Sequence, residues 1–240
     1  MRYTVLDSWR GICAVLVVLH HAASAGPLGS SALIRGAFLF VDFFFVLSGF
    51  VIAEAYGRRI VAPRSVLTFL LRRFGRVWPL HMAVLVVLVL LEFTKLFAAR
   101  RWGIEFSNTP FDGVNEISAL PFHVLLLNAM NFVPELTWNY PSWSIGAEYW
   151  TYSLFAVVAY FARTRAVAVS VVVAISAATA LVMCSHTLMD TTYDFGYLRC
   201  IFGFFVGSVL HGCLRRYDAF AVRPARCWRS SQSCLRSASW

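Results

Sequence analysis

Apolar residues lie in long continuous runs along this chain of 240 residues, and short polar segments separate the runs. A helix that crosses a bilayer needs about 20 mainly apolar residues, and several runs approach that length. The sequence therefore predicts an all-α fold, a polytopic transmembrane helix bundle with about six to seven spans. The strong runs cover residues 11–25, 32–56, 77–98, 143–161, 166–184 and 196–214, and a weaker one covers residues 120–133.

Arginines gather at the ends of the apolar runs, where positive side chains anchor the cytoplasmic ends of spanning helices. The decisive clusters are Arg163 with Arg165 and Arg215 with Arg216. If residues 120–133 span the membrane, both clusters fall on the side that this rule disfavours. If residues 120–133 are re-entrant or interfacial, both clusters fall on the cytoplasmic side. We therefore prefer six spans with both termini cytoplasmic, with the seventh span as the alternative.

The first 25 residues also resemble a cleavable signal peptide, because an apolar stretch follows Arg2 and Ala-Ser-Ala precedes Gly26. Asp7 lies in the supposed basic region, and two histidines interrupt the end of the apolar stretch. A signal peptide that is cleaved off requires neither the aspartate nor the histidines. We interpret residues 1–25 as a retained helix.

Composition indicates that the bilayer is the solvent of this protein. Hydrophobic residues make up 59% of the chain and charged residues 14%, with a mean hydropathy of +0.67. Soluble domains have roughly 45–50% apolar residues and about 25% charged residues. The net charge of +9 does not predict nucleic-acid binding, because so apolar a chain leaves no basic soluble face. The six cysteines lack C-x-x-C spacing and a matching histidine pair, so no metal site is predicted.

The apolar pattern ends just before Tyr217, and the residues that follow are rich in arginine and serine. This change predicts a membrane-embedded domain over residues 1–215 and a basic, disordered tail over residues 216–240.

Arg10 and His21 are eleven residues apart. On an α-helix that separation places the two side chains within about 20° of each other around the axis and about 16 Å apart along it, so they share one face. An ionisable residue inside a membrane is a functional candidate by default. The alternative for His21 is a simple hydrogen bond to a neighbouring helix. Asp42 follows within an aromatic run, where an unpaired carboxylate costs several kcal/mol. It therefore needs a partner, and it could orient the imidazole of His21 or neutralise an arginine. The alternative is a purely structural pair with Arg35 or with another helix.

Two further polar groups lie at helix ends. Arg73 and Arg76 precede Trp78. A guanidinium group can donate two parallel hydrogen bonds to a phosphate, so these arginines are candidates for phosphate binding. The alternative is that they only anchor the cytoplasmic end of a spanning helix. Ser144 and Glu148 are one turn apart on another predicted helix, where capping or packing is the alternative to a functional role.

Five segments in chain order together resemble the acyltransferase-3 family of integral membrane O-acyltransferases. The spacing from Arg10 to His21 is similar to the signature of that family. The segments cover residues 6–21, 41–49, 73–79, 142–148 and 197–207.

The resemblance implies that His21 is catalytic, either as the general base on an acceptor hydroxyl or as a transient carrier of the acyl group. Asp42 or Glu148 would orient His21. The enzyme class implied is an O-acyltransferase that moves groups other than amino-acyl groups.

The resemblance also implies the substrates. The arginines Arg10, Arg73 and Arg76 would bind cytoplasmic acyl-CoA, in particular acetyl-CoA, as a co-substrate, and no bound cofactor is expected. Ser144 is a further candidate for substrate binding. The acceptor would be a carbohydrate, a lipid-linked sugar or another cell-surface molecule. The membrane would be the bacterial inner membrane, with membrane lipids as further partners.

Two alternatives to an active enzyme remain. Intramembrane histidine and carboxylates also occur in transporters, although no internal repeat supports that function here. Members of the family usually continue with further spanning helices, so we also expect that this chain is truncated at its C-terminus, and an inactive fragment is the second alternative.

Overall fold

The computed structural model describes residues 4–22, 31–185 and 189–236, apart from the side chains of residues 4–7, 10 and 218–236. Throughout these residues the structure has helices and turns and no strand, which confirms the all-α prediction. The α-helices are α1 (Thr4–Ala22), α2 (Ala32–Arg35), α3 (Phe40–Tyr56), α4 (Pro63–Trp102), α5 (Leu120–Val124), α6 (Trp143–Ala162), α7 (Ala166–Cys184) and α8 (Gly196–Arg236).

The long helices α1, α3, α4, α6, α7 and α8 alternate in direction through the bundle. The order of the contacts shows this for neighbouring pairs. Ser170 on α7 meets Ser208 on α8, whereas the earlier Val167 meets the later Gly212. Phe69 on α4 likewise meets Phe155 on α6, whereas the later Phe74 meets the earlier Tyr149. We call one end of the bundle the basic end, because it carries the arginines between α3 and α4, between α6 and α7, and on α8 at 215 and 216. The other end, the loop end, carries the connection of residues 103–142.

Stretches long and apolar enough to cross a membrane are Ala32–Tyr56, Pro63–Trp102, Tyr140–Cys184 and Gly196–Tyr217. The third stretch contains both α6 and α7, and the apolar part of α1, Gly11–Ala22, is shorter. The weak run of residues 120–133 contains only the five-residue α5 followed by turns, so it forms no spanning helix. This result agrees with the preferred interpretation, in which residues 120–133 are re-entrant or interfacial.

The helix α4 reaches beyond the other helices at the loop end. Its 40 residues correspond to about 60 Å, twice the thickness of a hydrocarbon core of about 30 Å. Near its C-terminal end Glu92 is buried and accepts hydrogen bonds from Lys95 Nζ at 2.6 Å, Asn115 Nδ2 at 2.8 Å and the Phe111 amide at 3.2 Å. These bonds hold the 103–142 connection against α4.

The closest helix contact joins α3 and α8, which run parallel. A Cβ atom at Gly49 would overlap the Phe204 carbonyl, and one at Gly207 would overlap the Val46 carbonyl. Glycine is therefore required for the two backbones to approach this closely. The contact fixes α8 against one face of α3 and leaves a neighbouring face of α3, about 120° around the helix, for the candidate site.

The helix α8 extends through Arg236 in the structure. The predicted disordered tail, residues 216–240, falls on its last turns and on residues 237–240. The side chains beyond residue 217 lie outside the described residues, so the division at residue 215 stays a prediction.

Candidate functional site

A cavity of about 440 Å³ lies between α1, α3, α4 and α6. It extends along three turns of α3, from Val41 near the loop end to Ile52 near the basic end, a rise of about 16 Å. It brings together several residues that the sequence singles out. Its polar lining consists of Ser48, Arg73, Arg76, Ser144, Glu148 and Tyr152.

A carboxylate and two hydroxyls meet in the middle of this cavity. Tyr152 donates a hydrogen bond to Glu148 Oε1 at 2.6 Å, and Ser48 donates to the same oxygen. The two hydroxyl oxygens are 3.1 Å apart. Ser48 and Tyr152 are each 5% exposed, whereas Glu148 is half-buried at the cavity wall. A hydrogen-bonded carboxylate beside a cavity is a group that can accept and return a proton.

One turn of the α6 sequence explains how Glu148 and Tyr152 meet. Glu148 and Tyr152 are four residues apart on α6 and therefore share one face. Sequence reasoning did not single out Tyr152, although this spacing was available to find it.

Arg73 lies at the basic side of the cavity and is held by aromatic rings. Its guanidinium carbon is 5.0 Å from the ring centroid of Tyr56 and 5.8 Å from those of Phe69 and Tyr152. Its Nε atom is buried, and no described residue accepts a hydrogen bond from it. Cation–π contacts hold the charge in place without neutralising it. Arg73 is therefore positioned to bind an anion, and Arg76, one turn further along α4, is exposed at the same cavity.

Ser144 lines the cavity at the loop end, one turn from Glu148. Its hydroxyl donates to the Pro141 carbonyl at 3.0 Å. The oxygen keeps its lone pairs for a donor on a ligand.

His21 is exposed at the end of α1 and is not among the residues that line the cavity. It lies, however, on the helix face that does line it, because residues 10, 14, 17 and 21 share that face and Ala14 and Val17 are lining residues. His21 therefore lies one turn beyond the cavity, toward the loop end. The side chain of Arg10 falls outside the described residues.

The neighbouring His20 has a different position. Its Nδ1 donates to the Ile34 carbonyl on α2 at 2.8 Å, and its ring centroid is 5.4 Å from that of His21. His20 therefore ties the end of α1 to the start of the next helical segment and helps to place His21.

Asp42 does not line the cavity but forms a buried ion pair with Arg199 on α8. Arg199 Nε and Nη2 donate to the two carboxylate oxygens, each at 2.7 Å. Arg199 is 1% exposed and also donates to the carbonyls of Thr191 and Phe38. Sequence reasoning predicted that Asp42 needs a partner but did not identify Arg199, the one arginine inside the run 196–214.

A second histidine pair lies outside this site, at the loop end. His81 Nε2 donates to the His123 carbonyl at 3.0 Å, and His123 Nε2 is hydrogen-bonded to Thr137 at 2.8 Å. Burial, followed by the charge of His81, lowers the pKa of His123 to about 4. His123 is therefore neutral near pH 7, and these contacts attach the 103–142 connection to α4.

Comparison with known proteins identifies the family of this chain. The profile of the acyltransferase-3 family, described as an acyltransferase domain, matches residues 3–231. A relative from Rhizobium radiobacter, described as "Protein 2 in picA locus", is 35% identical over 88 residues, which cover 36% of this chain and 44% of that protein. The chain thus matches less than half of that relative's length. No solved structure matches. The family match covers every residue of the cavity described above, and the chain, an integral membrane protein, belongs to the acyltransferase-3 family.

Proposed function

We propose that this protein transfers an acyl group, in particular acetyl, from acyl-CoA to a hydroxyl of a carbohydrate or another cell-surface acceptor. The observation that carries the proposal is the single cavity that contains the Arg73 cation, the Glu148 carboxylate and the face of α1 that leads to His21. Such a cavity offers an anion site and a carboxylate that can assist proton transfer within one concave space.

In this proposal the donor enters from the basic end, which faces the cytoplasm of a bacterium, with the N-terminus on the same side. Arg73 and Arg76 bind donor phosphates, and Arg10 lies at the same end of the cavity face of α1. The arginine clusters at the basic end support this orientation, because positive residues favour the cytoplasmic side.

The chemistry is assigned to His21 in either of two ways. As a general base, His21 takes the proton of the acceptor hydroxyl while its oxygen bonds to the thioester carbon; the carbon–sulfur bond breaks, and the CoA thiolate leaves and receives the proton. As a nucleophile, the imidazole first attacks the thioester carbon; the carbon–sulfur bond breaks, the CoA thiolate takes the imidazole proton, and an acyl-imidazole remains. The acceptor oxygen then attacks that acyl carbon, the carbon–nitrogen bond breaks, and the acceptor proton passes to the released imidazole.

Glu148 has the supporting role within the cavity. Its carboxylate, fixed by Ser48 and Tyr152, is suited to orient the acceptor hydroxyl or the imidazole. Ser144, at the loop end of the same wall, is suited to contact a sugar hydroxyl. Asp42 contributes through its ion pair with Arg199, which fixes α3 against α8.

The test compares acetylation of surface polysaccharide in cells that express the wild-type chain, His21→Ala or His20→Gln at matched membrane levels. His20→Gln is the control, because glutamine can still donate to the Ile34 carbonyl. We expect acetylation with the wild type and the control and none with His21→Ala. Acetylation that persists in His21→Ala would overturn the mechanism.

A further inference from the structure

A second cavity, of about 380 Å³, lies at the basic end between α3, α6, α7 and α8. It shares no lining residue with the first cavity, from which α3 separates it. Arginines from three separate segments of the chain converge on it. They are Arg58 after α3, Arg163 between α6 and α7, and Arg215 and Arg216 on α8.

These four arginines are exposed, and no direct ion pair or hydrogen bond joins any of them to another residue in the described part of the chain. The nearby carboxylate of Glu54 attracts Arg215 at longer range, but its direct hydrogen bond is to His211 Nε2, at 2.6 Å. Four cations beside one carboxylate leave a positive potential that an anion would relieve.

The wall of this cavity adds uncharged donors. Ser170 on α7 and Ser208 on α8 are buried, lie 3.5 Å apart and line the cavity together with His211. Topology anchoring explains why arginines occur at this end, but it does not require them to face one concave space with buried hydroxyls. Guanidinium forks and hydroxyl donors together match the oxygens of a phosphate.

The place of the cavity in the bundle indicates what carries the phosphate. It lies where the membrane-spanning stretch Gly196–Tyr217 ends, which is the level of lipid headgroups. A separate groove of about 350 Å³, on another face of α7 and α8, is lined almost entirely by aliphatic and aromatic residues and suits lipid tails. A phosphate site at the end of a spanning helix fits the headgroup of an anionic phospholipid.

We propose that the second cavity binds the phosphate of an anionic ligand. Its position at the end of the membrane-spanning stretch favours an anionic phospholipid as the source, and a soluble phosphate is the other source. Binding would hold α8 to the α6–α7 turn through the ligand. The proposal concerns binding alone and does not depend on acyl transfer.

The test measures the thermal unfolding midpoint of the purified full chain in a neutral detergent, titrated with short-chain phosphatidylglycerol, short-chain phosphatidylcholine or inorganic pyrophosphate. The variants are Arg58→Gln with Arg215→Gln, and Arg165→Gln as the matched control. Arg165 is exposed on the same turn as Arg163 but does not line the cavity. Native mass spectrometry of the same samples counts bound lipid and gives an independent measure if a variant is less stable.

We expect phosphatidylglycerol, but not phosphatidylcholine, to raise the midpoint. Its apparent affinity should fall roughly tenfold for each arginine removed, the loss of one charge-assisted hydrogen bond, and should be unchanged in Arg165→Gln. The same pattern with pyrophosphate alone would assign the site to a soluble phosphate. Equal effects of both lipids, or equal losses in the double variant and in Arg165→Gln, would overturn the proposal.

Discussion

The two faces of α3 carry a carboxylate interaction each, and the two interactions differ in what surrounds them. On one face Asp42 is paired with Arg199, whose donors are engaged by the carboxylate and by two backbone carbonyls in a closed contact. On the other face Ser48 meets Glu148 beside a cavity of about 440 Å³. Four of the five N–H donors of Arg199 are engaged, which leaves little capacity for a ligand, whereas a carboxylate at a cavity wall can bind one. We therefore propose a structural role for Asp42 and a chemical role for Glu148.

The largest expected effect comes from breaking the closed pair. Arg199→Met leaves the Asp42 carboxylate without its partner between α3 and α8. The loss of one member of a buried pair costs about 3–5 kcal/mol, because the remaining charge is not compensated. We expect a large drop in the thermal unfolding midpoint of the purified protein and in its membrane level.

The double variant Asp42→Leu with Arg199→Met is the control for that experiment, because it removes both charges. It should recover part of the lost stability, since an apolar pair carries no uncompensated charge. A single variant Arg199→Met with wild-type stability and no activity would reverse the comparison and place Arg199 in the chemistry.

The next effect concerns the open site. Glu148→Gln keeps the shape of the side chain and an oxygen that can accept from Ser48 and Tyr152, but it removes the proton-accepting carboxylate. General-base catalysis contributes about 10²–10⁴-fold, and it is lost when the carboxylate that orients the imidazole or the acceptor hydroxyl is removed. We expect acyl transfer to fall at least a hundredfold with little change in the unfolding midpoint. Unfolding without a specific loss of rate would assign Glu148 a structural role, like the one proposed for Asp42.

The same comparison shows what the sequence could reveal. Long apolar runs predict a helical bundle, because a bilayer leaves few other ways to satisfy the backbone. The common face of Arg10 and His21 also follows from spacing alone, and the structure finds Ala14 and Val17 of that face at the cavity. These are local properties of one helix, and local geometry can be calculated from residue numbers.

The rest could not be predicted in the same way, because it depends on which helices become neighbours. Asp42 and Arg199 are 157 residues apart, and only the close α3–α8 contact brings them together. The aromatic contacts of Arg73 likewise come from three helices. The weak run 120–133 was ambiguous, since its apolar content alone did not show that α5 ends after five residues.

The smallest effect isolates one hydrogen bond in the open site. Tyr152→Phe removes the hydroxyl that donates to Glu148 at 2.6 Å but keeps the ring beside Arg73 and Phe204. If that bond holds the carboxylate in place for acyl transfer, its loss should lower the rate roughly tenfold, the equivalent of one hydrogen bond to a charged group.

Tyr149→Phe, on the same helix, is the matched control for this experiment, because Tyr149 contacts Phe74 through its ring and does not line the cavity. The rate of acyl transfer at matched protein levels should fall in Tyr152→Phe and stay unchanged in Tyr149→Phe. Equal rates in both variants would mean that Ser48 alone is sufficient to position Glu148. The contrast between the faces of α3 would then depend on the cavity itself and not on how tightly its carboxylate is held.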